Sequence, residues 1–117
     1  MDTSSNLKQR CYRFGLLIIQ LCDTLPQKRS AWVISDQCIR SATSIGANII
    51  EARASSSRLE FKKFFEIALK SANETVYWLF LLKDSGLASN EKISPLIQEC
   101  EELAKMLGKS VLTLKKK

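Results

Sequence analysis

The chain of 117 residues contains no histidine, and that absence closes off several kinds of chemistry at once. Ser–His and Cys–His nucleophile pairs cannot be assembled without it. Nor can the Glu-x-x-His pairs that hold di-iron centres in helical bundles, or the Arg-to-His motif on which some helical ribonucleases depend. Prolines are limited to Pro26 and Pro95, and the four glycines stand alone, so there is no glycine-rich phosphate loop and long helices are permitted. The longest strongly apolar runs, Phe14–Cys22 and Thr75–Leu82, reach about half of the roughly 20 residues a membrane span needs. Met1–Ser5 lacks the charged-then-apolar pattern of a secretory leader. Cys11, Cys22, Cys38 and Cys100 show no CxxC spacing, and three of them (Cys11, Cys38 and Cys100) fall on apolar stripes, where free cysteine behaves as a small core residue. A reducing cytoplasm is therefore expected, with neither a disulfide framework nor a metal or other cofactor.

What the chain does have is helical periodicity. With 45% hydrophobic and 26% charged residues it has the composition of an ordinary globular domain, long enough for one core. Leu7, Cys11, Phe14, Ile18, Leu21 and Leu25 alternate steps of four and three, which predicts a first amphipathic helix over about 5–25. Ile34, Cys38, Ala42, Ile45 and Ile49 predict a second over 30–54, ended by Ser55-Ser56-Ser57. Ser57-Arg58-Leu59-Glu60 fits a capping box opening a third helix over 58–85, which Gly86 is placed to close in a left-handed conformation. Leu96, Cys100, Leu103, Leu107, Val111 and Leu114 predict a fourth over about 90–114, opening near Ser89 or a turn later with Pro95 at its first position. Short connections between helices of similar length favour a single all-α domain, an antiparallel up-down-up-down four-helix bundle.

Two segments go beyond a generic bundle. Arg40–Glu51 is helix-patterned yet small and hydroxylic: Ser41, Ala42, Thr43, Ser44, Gly46 and Ala47 surround Ile45 and Ile49. Such a run lets helices approach closely, and any buried hydroxyl or amide in it requires a hydrogen-bond partner. Val76–Leu82 is apolar on every side of helix 3, a pattern that would expose large groups and marks a self-association surface or a half-covered groove.

Catalysis finds little support. Glu51, Glu66 and Glu74 lie on the central helices, but nothing holds a carboxylate pair at a defined separation. The structural reading pairs Glu74 with a group on helix 2, Arg40 being a candidate. An enzyme is not expected. The basic residues offer the better lead. Residues 1–58 carry eight basic and four acidic side chains, and residues 59–117 carry ten and eight, for a net charge of +6. Lys8, Arg10 and Arg13 lie near the start of helix 1, whereas Arg53, Arg58, Lys62 and Lys63 bracket the helix 2–3 turn. Antiparallel packing brings both clusters to one end of the bundle, a candidate phosphate-binding surface for RNA or DNA. Few exposed aromatics are expected beside them, which argues against base stacking. The alternatives are a solvated basic face that keeps the protein soluble and a structural adaptor that binds a protein partner, with the charge incidental.

The run Arg40-Ser41-Ala42-Thr43-Ser44-Ile45-Gly46-Ala47-Asn48-Ile49-Ile50-Glu51 resembles the helix 2 signature of the small bacterial bundle proteins named after intervening sequences in 23S ribosomal RNA genes. Glu60-Phe61, Ile67–Thr75, Tyr77-Trp78-Leu79 and Leu82–Gly86 are similar to helix 3 of the same family. One departure is Ala52, where the family often has glycine. The resemblance implies a cytoplasmic bundle assembled as a ring-shaped homopentamer. It also implies a relationship to the accessory variability protein of diversity-generating retroelements, which binds nucleic acid and a reverse transcriptase. Carried over residue by residue, it marks Arg40, Ser44, Asn48, Glu51, Asn73 and Glu74 as packing or interface positions, to which the apolar pattern of helix 3 adds Trp78 and Phe80.

Overall fold

In a computed structural model, which describes residues 3–116, the chain forms α1 (Thr3–Asp23), α2 (Arg29–Arg53), α3 (Arg58–Asp84) and α4 (Asn90–Lys115). Each boundary lies within about two residues of the position its periodicity and caps predict, the margin by which helix ends ordinarily vary. Lys117 lies outside the described residues.

Local chemistry accounts for the helix ends. The Ser57 hydroxyl accepts from the Glu60 amide at 3.1 Å, as a capping box requires. The reciprocal bond is shifted by one residue: Glu60 Oε1 accepts from the amide of Ser56, also at 3.1 Å, and not from that of Ser57. Gly86 adopts φ 78°, which turns its amide to the Lys83 carbonyl and that of Ala88 to the Leu82 carbonyl, each at 3.1 Å. At the start of α4 the Ser89 hydroxyl accepts from the Lys92 amide, so the helix opens there and Pro95 lies inside it. The later start with Pro95 at the first position is thus corrected. Pro95 sits on the solvent-exposed side of the helix, where water can replace the missing amide.

The helices form a square. α2 and α3 share the most extensive interface, α3 packs on α4 and α1 on α2, and α1 and α4 meet along the thinnest one. Among the described residues no Cα atoms of the diagonal pairs, α1 with α3 and α2 with α4, come within 8 Å of each other. Phe14, Ile18, Ile45, Ile49, Leu79, Leu82, Leu103 and Leu107, two from each helix, are fully buried, and those of α1, α2 and α4 fall on the predicted stripes. Each such side chain contributes about 1.5–3 kcal/mol of transfer free energy. The all-round apolar segment of α3 divides: Leu79 and Leu82 enter the core, Val76 and Trp78 are half-buried, and Tyr77 remains 58% exposed. No helix among the described residues is long and apolar enough to cross a membrane.

Candidate nucleic-acid interface and the seams behind it

Antiparallel order puts the start of α1, the end of α2, the start of α3 and the end of α4 at one end of the bundle. Lys8, Arg53 and Lys63 are exposed there, and Lys62 is half-buried; Arg13 is exposed too but stands at the middle of α1, about 15 Å along the axis from the helix start. Arg58 is also exposed but partly engaged: its Nη2 donates to the Leu114 carbonyl at 3.3 Å and to the Thr113 carbonyl at 3.5 Å, the latter shared with the Lys116 amide, in the last turn of α4. That contact reveals cations absent from the sequence-derived set. Lys109, Lys115 and Lys116 of α4 join the same end, with Lys115 Nζ 3.9 Å from Glu66 Oε2. The signal was present in the topology, because the end of a fourth antiparallel helix must return to the start of the first.

Arg10 behaves differently from its neighbours. Its guanidinium forks onto Glu99 at 2.6 and 3.1 Å, reaches Glu102 at 3.0 Å and lies 3.2 Å from the Met106 sulfur. Hydrogen bonds to Glu99 and then Glu102 raise its pKa still further, and the bidentate geometry ties α1 to α4 along their thin seam. Two carboxylates offset the Arg10 charge, so its geometry serves α1–α4 packing rather than phosphate contact.

The family-signature positions lie mainly along the α2–α3 seam. Ser44 Oγ is 2.9 Å from Ser71 Oγ, and the Asn48 amide donates to Ser44 Oγ at 3.0 Å and to its carbonyl at 2.8 Å. One turn away, Thr75 Oγ1 lies 2.8 Å from Ser41 Oγ and 2.7 Å from the Ser71 carbonyl. Among the described residues no buried side-chain nitrogen or oxygen lacks a partner, so the small hydroxylic run closes this seam without orphaned polar groups. At its outer edge Glu74 accepts from Arg40 and, at 2.9 Å, from the Trp78 indole. The Trp78 N–H, followed by Arg40, holds the Glu74 carboxyl below its usual range, against the opposing pull of partial burial. Glu51 and Asn73 are exposed instead of packed within the chain, and Phe80 is 37% exposed beneath Lys83, whose Nζ stands 5.7 Å from the ring.

The thiols are core residues of unequal chemistry. Burial pushes Cys11 and Cys100 up to about 12. Cys22 is half-buried, and a hydrogen bond from Cys38 lowers its pKa. Among the described residues no group of three or more His, Cys, Asp or Glu is placed to hold a metal ion.

On its other side α2 faces α1 across a groove of about 580 Å³. Gly46 sits so close to α1 that a Cβ there would stand 3.4 Å from Cys11 Cβ. Tyr12, Leu16, Ile19 and Ile50 form the walls, with Lys8 and Arg13 also lining the groove. Tyr12 is 69% exposed. Sequence reasoning missed this aromatic among the cations, because only the α1–α2 register puts Tyr12 beside Ala47 and Ile50.

These features define a class: an antiparallel four-helix bundle with a sealed polar seam and one cationic end. The chain belongs to the family of 23S rRNA-intervening sequence proteins, which it matches over residues 3–109. Its fold is similar to the crystal structure of a protein of unknown function from the S23 ribosomal protein family of Bacteroides thetaiotaomicron. The two chains share 37% identity and superpose with a TM-score of 0.84, covering 90% of this chain and 97% of the other. No curated protein matches the sequence.

Proposed function

We propose that this protein is a non-enzymatic, cytoplasmic, homo-oligomeric accessory protein that binds RNA or DNA through its cationic end. The observation that carries the reading is the gathering of Lys8, Arg53, Arg58 and Lys63 with Lys109, Lys115 and Lys116 at the end where all four helices have a terminus. Such a surface meets phosphates without reading sequence, so binding is steeply salt-dependent and largely sequence-independent. Oligomerisation, with a homopentamer as the form the family resemblance implies, would repeat the cationic end around a ring. A nucleic-acid enzyme such as a reverse transcriptase is a fitting protein partner.

The test is titration of nuclease-treated protein with labelled RNA and duplex DNA across a salt series. Replacing Arg53, Arg58, Lys62 and Lys63 together is expected to weaken binding about equally for all sequences and to reduce the salt slope by roughly 3 to 4. Circular dichroism controls for the loss of the Arg58 cap on α4. Unchanged binding by the folded variant rules this surface out.

A second reading, a structural adaptor for a protein partner, is favoured by the exposed Tyr77, Phe80 and Leu81 of α3. A stoichiometric protein recovered after nuclease treatment, and lost on Phe80→Ala at unchanged oligomeric mass, would support it.

A further inference from the structure

The α1–α2 groove combines three features that the cationic end alone does not have. It is apolar within, where Leu16, Ile19 and Ile50 stand over a floor of small residues. It carries one largely exposed aromatic ring, that of Tyr12. Lys8 and Arg13 line it, and none of its lining residues is a carboxylate. An occupant must therefore present a flat apolar group together with negative charge. We propose that the groove receives an unpaired base of single-stranded nucleic acid, stacked against Tyr12, with the flanking phosphates on Lys8 and Arg13.

This inference rests on the nucleic-acid reading above and narrows it to the strand state. A base within a duplex is stacked on both faces and cannot enter a groove between helices, whereas an unpaired base offers a free face. A tyrosine ring is tolerant of base identity, since every base has a π-face. The volume of about 580 Å³ lies within the range of small-ligand pockets. Charge argues against the same groove of a second copy as the occupant. Two grooves packed face to face would oppose Lys8 and Arg13 of one copy to the same residues of the other, which sets like charges together at an interface and is costly.

The experiment measures binding of fluorescent oligothymidylate of 15 nucleotides and of a 15-base-pair duplex to the wild-type protein, Tyr12→Ala, Tyr12→Phe and the quadruple cationic-end variant. Tyr12→Ala is expected to weaken single-strand binding about tenfold while leaving the duplex within about twofold, and Tyr12→Phe is expected to retain both. Equal weakening of both probes, or of neither, overturns the groove assignment. If the quadruple variant loses both probes while Tyr12→Ala changes neither, the cationic-end reading survives and the groove assignment alone falls. If the wild-type protein binds neither probe, both fall. Sedimentation of Tyr12→Ala supplies an independent check: a change in oligomeric mass would mean that another copy covers the groove, which also overturns the proposal.

Discussion

The two flanks of α2 use similar small residues and reach opposite outcomes. Toward α3, Ser41, Ser44 and Asn48 meet Ser71 and Thr75, so hydroxyl answers hydroxyl and the seam closes. Toward α1, Thr43, Gly46 and Ala47 meet Cys11, Gly15 and larger residues that lean outward, and an open groove is left. Small side chains alone do not decide whether helices seal. Sealing requires the facing helix to offer groups of matching size and hydrogen-bonding capacity at the same level.

The sharpest way to break this contrast is to enlarge a residue in the closed seam. Ser41 is fully buried, and Ser41→Leu is expected to cost about 2–3 kcal/mol through overpacking and loss of the Thr75 contact, measured by urea denaturation. A smaller effect comes from the edge of that seam in acid. Because Trp78 and Arg40 lower the folded-state pKa of Glu74, its contribution is present above the ordinary carboxylate pKa of about 4.3 and is lost as pH falls through the lower folded value. The side chain is 37% exposed, so solvent screening limits this contribution to under about 1 kcal/mol. Glu74→Gln is expected to flatten stability below about pH 4 relative to the parent, and parallel acid profiles for the two proteins would refute the assignment. The smallest effect belongs to the open flank. Ala47 is exposed in the groove, and Ala47→Leu is expected to leave stability within about 0.5 kcal/mol; a loss as large as that of Ser41→Leu would show the two flanks to be alike.

The residues differ in how much of this can be read from the chain itself. Phe14, Ile45 and Leu103 announce their burial by spacing, and Ser57 and Gly86 announce helix ends by capping chemistry. Pro95 was ambiguous because Ser89 and Ser94 both resemble caps, and only the Ser89 hydroxyl meeting Lys92 resolves it. In the candidate site, Arg53, Arg58, Lys62 and Lys63 are visible as a cluster because they are close in sequence. Arg10 looked like one of them until it was placed against Glu99, 89 positions away. Tyr12 was indistinguishable from any surface tyrosine.

The sequence by itself determined four helices, their ends and their buried faces, because periodicity and capping are local properties that act over a turn or two. Tertiary structure alone decided which charges remain free at the cationic end and that a groove opens between α1 and α2. Those outcomes depend on the register between helices distant in the chain. A shift of one residue rotates every side chain on a helix by about 100°, and no local pattern specifies which neighbour it then meets.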